Sequence, residues 1–245
     1  MKLIIQIPCY NEAETLPLTL DDLPRQIEGI DQIEILVIDD GSSDDTVEVA
    51  RSRNVHHVVR LTPHRGLAAA FNAGLRAGLQ RGADVIVNMD GDHAFRAEDI
   101  ARLIAPILAG RAGMVIGVRP LDDRRYFPPL KKALHRLGSW LISRLIGQAI
   151  PDPTSGFRAY SRDAAMKLHI VSRHTYVLES IIQAAHQGVA FAHVPIGVNP
   201  PLRPSRLIKS TAHYVAQSAW TVLRACVSYR MGRLLKVVAP RSGHA

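Results

Sequence analysis

Two aspartates, Asp90 and Asp92, follow a short apolar run in the segment Val-Ile-Val-Asn-Met-Asp-Gly-Asp at 85–92. Side chains at positions i and i+2 of an extended segment point the same way, so both carboxylates can face one ligand. Hard oxygen donors at this spacing suit Mg²⁺ or Mn²⁺ shared with phosphate oxygens. Such pairs also occur in solvated turns, but the apolar run before this one favours a site at the end of a buried strand.

Strand-like and helix-like segments alternate through the first half of the chain. The strand-like runs are rich in Ile and Val and lie at 2–7, 34–38, 56–60, 84–89, 113–118 and, later, 190–198. The helix-like segments between the first five runs lie at about 12–27, 44–53, 66–81 and 97–109. This alternation predicts βαβ units and a largely parallel sheet, with ligands bound at the carboxyl ends of its strands.

The chain is neutral up to Glu179 and strongly basic after it. The net charge of its 245 residues is +8, and no Asp or Glu follows Glu179. A basic segment of this kind has three ordinary partners: an anionic lipid surface, nucleic acid or a phosphorylated ligand. Aromatic residues make up only 5% of the chain and no nucleic-acid recognition motif occurs, so nucleic acid is not expected.

Two segments have the pattern of basic amphipathic helices. In 130–147, leucines recur on one side, and we expect them to pack on the domain: Leu130, Leu134, Leu137, Leu141 and Leu145. In 207–235, apolar or small side chains recur in steps of four and three, with Trp220 among basic residues. This second helix is expected to lie in a membrane interface, with the pairing of two subunits as the alternative.

Other features of the sequence indicate where the protein is expected to be located. No run of 18 apolar residues occurs, so a membrane-spanning helix is not expected. The N-terminus is interpreted as a first strand rather than a signal peptide. The two cysteines, Cys9 and Cys226, lie in unrelated contexts, which fits a reducing compartment.

Four more segments place polar side chains at predicted strand ends. In P-C-Y-N-E at 8–12, Tyr10 offers a ring on which a nucleobase can stack. In D-D-G-S-S-D-D-T at 39–46, a carboxylate can accept a hydrogen bond from the imide N–H of a base, while Ser43 or Asp44 can cap the next helix. Each segment taken alone is equally typical of an ordinary capped helix start.

The other two segments carry a cation and a polar turn. In H-R-G-L-A-A-A-F-N-A-G at 64–74, Arg65 can meet a diphosphate, and the small residues let a helix approach the sheet. In D-P-T-S-G-F-R at 152–158, a polar turn that contains glycine suits a sugar or an acceptor. A plain Asp-Pro turn is the alternative interpretation of this last segment.

Taken in order with D-G-D at 90–92, these segments resemble the family-2 glycosyltransferases. The similarity is greatest to the branch of dolichol-phosphate mannosyltransferases and bacterial polyprenyl-phosphate glycosyltransferases, and it runs from residue 3 to about 206. It implies an α/β fold of the GT-A type, Rossmann-like with a mostly parallel sheet flanked by helices, over 1–206. A C-terminal basic amphipathic helical extension would occupy 207–245.

The resemblance also implies roles for individual residues. The nucleotide-sugar site would comprise Pro8, Tyr10, Glu12, Asp40, Arg65, Asp90 and Arg206. The acceptor phosphate would be bound by Arg119, Lys131 and His135, the last of which stands where relatives have serine. Asp90 and Asp92 would hold the metal, and Asp92 and Asp152 would be the catalytic residues.

Three departures from the family pattern are visible. Ala94 stands in place of the glutamine that follows the two aspartates, so a third protein ligand to the metal is missing. The C-terminal pattern that grips the diphosphate has Arg203 at its glycine position and Arg206 at its lysine position. The transmembrane helices of several bacterial relatives are not expected here.

The predicted function is inverting, metal-dependent transfer of a sugar from a UDP- or GDP-linked donor to a polyprenyl- or dolichyl-phosphate-type lipid. A lipid phosphate is already ionised near neutral pH and needs no general base. A hydroxyl of a glycan or glycolipid is the alternative acceptor, with Asp152 and then Glu179 as the candidate base. A non-catalytic nucleotide- or nucleic-acid-binding module is the less expected alternative. The expected location is the cytoplasmic side of the cell envelope, peripheral on an anionic membrane surface.

Overall fold

The computed structural model describes residues 1–122, 129–172, 175–203 and 217–224 of the chain. Arg206 and the predicted domain boundary lie outside these residues. Of the predicted helix at 207–235, only residues 217–224 are described, and these are helical. In the part of the chain that is described, no helix is both long and apolar enough to cross a bilayer.

Within the described residues, seven strands form one sheet. They are β1 (Lys2–Cys9), β2 (Gln32–Asp39), β3 (His57–Arg60), β4 (Val85–Asn88), β5 (Met114–Val118), β6 (Arg158–Ser161) and β7 (Phe191–Pro195). Their order across the sheet is β3-β2-β1-β4-β6-β5-β7. All neighbouring strands are parallel except at β6, which runs antiparallel to both β4 and β5. The predicted mostly parallel α/β sheet is therefore confirmed.

Helices cover the two faces of this sheet. They are α1 (Leu16–Asp21), α2 (Thr46–Ser52), α3 (Leu67–Gln80), α4 (Ile100–Leu108), α5 (Pro129–Ile146), α6 (Arg162–Lys167) and α7 (Val177–His186). A short 3-10 turn at Ala97–Asp99 leads into α4. The predicted helix at 12–27 is much shorter than expected and comprises only α1. β6, α6 and α7 were not recognised in the sequence.

Alternating side chains of β1 supply two separate cores. Ile4 points into the core that contains Phe71 and Leu75 of α3, whereas Leu3 points into the core that contains Leu103 of α4. Successive residues of a strand face opposite sides of the sheet, so a strand covered on both faces needs apolar residues at every position. This requirement explains the uninterrupted Ile- and Val-rich runs.

The reversed direction of β6 determines which loop reaches the carboxyl edge of the sheet. Asn88, the last residue of β4, pairs with Arg158, the first residue of β6. The loop 152–157 that precedes β6 therefore lies where β4 and β5 end. Arg158 is fully buried and fastens this loop by donating to the carbonyl oxygens of Ser155 at 2.7 Å and Pro153 at 2.8 Å.

The leucine stripe of α5 does not pack on the domain, and this expectation from the sequence is wrong. Of the helix, only Ile142 is buried, and the five leucines of the stripe are exposed. The opposite side of α5 is held by polar contacts, since the Ser139 hydroxyl donates to the carbonyl of Ile150 and the Ile150 N–H donates to the Ser143 hydroxyl at 2.9 Å. The side with these fixed hydrogen bonds faces inward, and the leucines therefore face outward.

Candidate active site

Segments from five strands meet at the carboxyl edge of the sheet. Tyr10 follows β1, Asp40 follows β2, Asp90 follows β4 and Arg119 follows β5. Asp152 joins them because β6 runs in the opposite direction. The polar segments at 8–12, 39–46 and 64–74 lie at or after the ends of β1, β2 and β3, as predicted, whereas the segment at 152–158 precedes β6 and reaches this edge only because β6 is reversed.

The turn that carries Asp90 and Asp92 is held in place by hydrogen bonds from Thr15, just before α1, and from Thr19, within α1. The hydroxyls of Thr15 and Thr19 donate to the Gly91 carbonyl at 3.1 Å and 3.3 Å. Gly91 is buried between the two aspartates, both of which remain partly exposed. The carbonyl is directed into the protein, so the flanking carboxylates are available to a ligand.

Asp90 lies in an environment that disfavours its charge. Burial, and then the charge of Asp92, raise its pKa to about 7, and Arg119 offsets only part of this. Among the residues that the structure describes, no side chain or backbone group donates a hydrogen bond to the Asp90 carboxylate. A divalent cation between the two carboxylates would remove this unfavourable interaction.

The two aspartates fit a divalent cation that is shared with a ligand. The described residues contain no cluster of three or more His, Cys, Asp or Glu side chains able to hold a metal by themselves. Ala94, at the position of the third family ligand, contributes only its N–H, which donates to Asp92 at 3.2 Å. Oxygen atoms of a diphosphate or of water would therefore complete the coordination of Mg²⁺ or Mn²⁺.

Asp40 organises the loop between β3 and α3. Its two carboxylate oxygens accept the N–H groups of Arg65 at 2.8 Å and Gly66 at 2.7 Å. His64 Nδ1 lies 2.9 Å from the same carboxylate, and the His64 ring packs on Tyr10 with 4.1 Å between ring centroids. Tyr10 and Asp40, both predicted to hold the nucleobase, are thus joined through His64, which was not assigned to the site from the sequence.

The other predicted nucleotide-site residues occupy different environments. Pro8 lies inside β1 and is buried, so the strand continues past it. Its missing N–H is tolerated because pairing of β1 with β4 ends at Gln6. The buried Glu12 accepts from the Thr15 hydroxyl at 2.7 Å and pairs with Arg203. Arg203 thereby brings the C-terminal end of the 175–203 segment to the site.

A second cluster surrounds Asp152 and contains the predicted acceptor-phosphate residues. Arg119 donates through Nε to Oδ2 of Asp152 at 2.7 Å and through Nη2 to Oδ1 at 2.8 Å. His135 Nε2 lies 2.9 Å from Oδ1. The charges of this cluster act on Lys131: burial and then the Arg119 charge lower the pKa of Lys131, and the Asp152 charge partly offsets this. The structure therefore brings Arg119, Lys131 and His135 together, as the sequence predicted.

The two candidate general bases are both engaged in structural contacts. Burial would raise the pKa of Asp152, but hydrogen bonds and charge from Arg119, then from His135, outweigh it and hold this pKa well below its usual range. Glu179 accepts the N–H groups of Val171 at 3.0 Å and Ser172 at 2.7 Å. Asp152, so stabilised in its charged form, is a weak base, and the Glu179 carboxylate is occupied by its two backbone donors.

A buried hydrogen-bonded chain beneath Asp90 was missed in the sequence. Gln6 donates to Asn88 at 2.8 Å, Asn88 donates to the Tyr176 hydroxyl at 2.8 Å, and this hydroxyl donates to the Gly156 carbonyl at 3.0 Å. A Cβ added at Gly156 would lie 3.1 Å from both the Tyr176 hydroxyl and Asp90 Oδ2. Polar Gln6 and Asn88 within apolar strands were the available signal, whereas nothing near Tyr176 indicated its role.

Comparison with known proteins gives a consistent set of similarities. The family model described as glycosyl transferase family 2 matches residues 4–168. The undecaprenyl-phosphate mannosyltransferase of Micrococcus luteus is 34% identical over 206 residues, which cover 80% of this chain and 83% of the relative. The polyprenol monophosphomannose synthase of Mycolicibacterium smegmatis is 33% identical and covers 79% of this chain and 76% of the relative.

A solved structure with a similar fold has a more distant sequence. The glucosyl-3-phosphoglycerate synthase from Mycobacterium tuberculosis, crystallised with Mn²⁺, UDP and glucosyl-3-phosphoglycerate, superposes with a TM-score of 0.71 at 22% identity. The match covers 93% of this chain and 79% of that chain. At this identity the similarity concerns the fold alone.

Proposed function

Since the chain belongs to glycosyl transferase family 2, on the polyprenyl-phosphate side of that family, we propose that it transfers a sugar from a nucleotide diphosphate to a lipid phosphate. The lipid is of the polyprenyl- or dolichyl-phosphate type, the transfer inverts the anomeric centre, and Mg²⁺ or Mn²⁺ is required. That the chain is a glycosyltransferase, and that its fold is the predicted GT-A fold, are established by the same similarities.

One observation carries the proposal for the acceptor. Gly156, in the loop that begins at Asp152, lies against Asp90, since a Cβ there would be 3.1 Å from Asp90 Oδ2. The Arg119 guanidinium bound to Asp152 therefore lies beside the aspartates expected to hold the metal. Burial and then the Arg119 charge lower the pKa of Lys131, so this lysine belongs to the same cationic group. A cationic acceptor site next to a metal-diphosphate site favours an anionic nucleophile, which these side chains would orient by charge-assisted hydrogen bonds.

The chemistry needs little else from the protein. A divalent cation held by Asp90 and Asp92 would neutralise charge on the departing diphosphate. An oxygen of the acceptor phosphate forms the new bond to the anomeric carbon while the bond from that carbon to the diphosphate breaks. Negative charge passes from acceptor to leaving group, and no proton is removed. The engagement of Asp152 and Glu179 in structural contacts supports this base-free route over transfer to a hydroxyl.

The donor end of the site is assigned by the same reasoning. Tyr10 and Asp40, joined through His64, would hold the nucleobase of a UDP- or GDP-linked sugar. Arg65 is exposed at the start of α3, where a diphosphate would meet both its charge and the end of the helix. The role of Arg206 stays a prediction, because it lies outside the described residues.

The location follows from the acceptor class. An enzyme of this class acts at a membrane, and we place it peripherally on the cytoplasmic face. The predicted homodimer through the C-terminal helix stays a prediction, since most of that helix lies outside the described residues.

The test is a panel of nucleotide diphosphate sugars with Mg²⁺ or Mn²⁺, with and without a short polyprenyl phosphate, and with product identified by mass. A glycosylated lipid phosphate is the expected product. A product that forms only with hydroxyl acceptors would contradict the proposed acceptor class. Asp92→Ala should abolish turnover while the fold is retained, and unchanged metal-dependent nucleotide binding by this variant would remove Asp92 from the metal site.

Two neighbouring lysines on α5 provide a matched pair for the acceptor site. Lys131→Ala should raise the KM for the lipid phosphate roughly ten-fold and leave that for the donor unchanged, because a charge-assisted contact is lost. Lys132→Ala is the control, since Lys132 pairs with the exposed Asp122. Equal effects of the two substitutions on acceptor KM would contradict the assignment.

A further inference from the structure

We propose that the protein docks on an anionic lipid bilayer through the outer face of α5, defined as Leu130, Leu134, Leu137, Trp140, Leu141 and Leu145. This inference rests on the proposed lipid-phosphate acceptor and names the surface that delivers it. The sequence had suggested the C-terminal helix for that role.

The first observation is the exposure of this face. Leu130 is 74% exposed, Leu137 54% and Trp140 55%, and the other members are similarly open to solvent. Six large apolar side chains left exposed along one helix are unusual, because monomeric proteins rarely leave a large apolar patch uncovered. Side chains spaced by three and four residues share one side of a helix, so the whole stripe can contact a flat surface at once.

The second observation is the sign of the charges around the stripe. α5 contains Lys131, Lys132, Arg136 and Arg144 and no acidic residue. Arg136 and Arg144 are exposed, and the Arg144 guanidinium lies 5.8 Å from the centre of the Trp140 ring. Leucines flanked by cations, with a tryptophan at the margin, match the interface between lipid head groups and acyl chains.

The same charges argue against a second copy of the chain as the occupant. A symmetric dimer through this face would set one cationic helix directly against another. Like charges brought together in this way oppose association, and α5 has no carboxylate to relieve them. Anionic lipid head groups neutralise the cations while acyl chains cover the leucines.

The third observation is what the other side of α5 does. His135, on the inward side, lies 2.9 Å from Asp152, and Asp152 binds Arg119. One helix therefore carries part of the acceptor-phosphate cluster on one side and the apolar stripe on the other. A helix with its side chains is about 10 Å thick, so docking would hold the cluster close to the depth of lipid head groups. A lipid phosphate could then reach Arg119 with its hydrocarbon chain still in the bilayer.

The test compares two double variants of the full-length protein. Leu137→Gln/Leu141→Gln places amides on the outer face of α5, and Leu18→Gln/Met166→Gln makes the same kind of change at exposed positions on α1 and α6. Co-sedimentation with vesicles of phosphatidylcholine mixed with phosphatidylglycerol should weaken roughly ten-fold for the first variant and remain unchanged for the second. Arg136→Gln should weaken binding to these vesicles but not to phosphatidylcholine alone.

Activity assays separate this inference from the proposed function. Turnover of a short prenyl phosphate in solution should be the same in Leu137→Gln/Leu141→Gln and wild type, whereas turnover of a long polyprenyl phosphate in vesicles should fall with binding. Unchanged vesicle binding by this variant would overturn the inference. So would a wild-type dimer that the variant dissociates in analytical ultracentrifugation, or a loss of thermal stability without loss of lipid binding. Absence of product with either acceptor in the wild type would instead overturn the proposed function, while the vesicle assay still tests the surface.

Discussion

Replacing Asp90 by asparagine is expected to stabilise the metal-free protein while abolishing its metal-dependent binding of nucleotide. Burial, and then the charge of Asp92, raise the pKa of Asp90 from its ordinary 3.8 to about 7. Folding therefore favours the neutral carboxyl group. The neutral carboxyl group contributes stability that is fully present below the pKa of Asp90 in the unfolded chain. This contribution is lost as the pH rises through the pKa of Asp90 in the folded protein. Asparagine has a similar shape and carries no charge at any pH.

The expected gain in stability of Asp90→Asn follows from the size of the pKa shift of Asp90. Raising the pKa from 3.8 to about 7 corresponds to roughly 4 kcal/mol in the free energy of unfolding above neutral pH. The Asp90 side chain keeps some contact with solvent, which reduces this cost, so a gain of about 2 kcal/mol is expected for Asp90→Asn. For a chain of this length, that gain raises Tm by about 4 to 8 °C.

The assay is thermal and denaturant-induced unfolding in the presence of a chelator, from about pH 4 to pH 8.5. The difference between Asp90→Asn and wild type should be small at the acidic end, grow through the window between the two pKa values and level off above it. Asp163→Asn, which removes an exposed carboxylate from α6, is the control and should give no such gain. Adding Mn²⁺ with a nucleoside diphosphate should raise the Tm of wild type and leave that of Asp90→Asn unchanged.

Two results would refute this reasoning. Equal stability of variant and wild type at pH 8.5 would mean that Asp90 is not destabilised by burial and by Asp92. A gain of the same size at both ends of the pH range would mean that packing rather than charge is responsible.

Two further substitutions test how closely the site is packed. Gly156→Ala should fold normally yet lower kcat roughly ten- to hundred-fold, because the new methyl group meets Asp90 Oδ2 at 3.1 Å and must displace it. Gly138→Ala is the control, since a Cβ there meets no atom within 4 Å, and comparable losses in both variants would contradict the packing argument. His64→Ala should weaken nucleoside diphosphate binding roughly ten-fold, measured by calorimetry, because it removes a contact of 2.9 Å to Asp40. His64→Asn should restore part of the affinity. An unchanged affinity in His64→Ala would exclude a role for this ring.

Much of the fold was predictable because its signals are local. The apolar runs that became β1, β2 and β4 are strands buried on both faces, and their composition alone indicates this. The polar residues that follow them, such as Asp40 and Asp90, mark the carboxyl edge of a parallel sheet wherever the helices lie. Arg119 and Lys131, the cations proposed to bind the acceptor, were identified through the family resemblance rather than through any local pattern.

Other features depended on contacts between distant segments. β6 was missed because its four residues have no periodicity of their own, and its antiparallel direction is what brings the loop containing Asp152 to the site. The pairing of Arg203 with Glu12 joins residues far apart in the chain. No local pattern encodes contacts of this kind, since each needs the whole sheet to be assembled first.

The sequence by itself determined the α/β architecture, the pair Asp90 and Asp92, and the family to which the chain belongs. Only the tertiary structure decided that the carboxylate of Asp152 is bound by Arg119 and His135, and that the leucines of α5 face outward. The physical reason is that an amphipathic pattern states which side of a helix is apolar, but not whether protein, lipid or another subunit will cover it. Likewise, the identity of a carboxylate does not state its basicity, which depends on the cations and hydrogen-bond donors that folding brings to it.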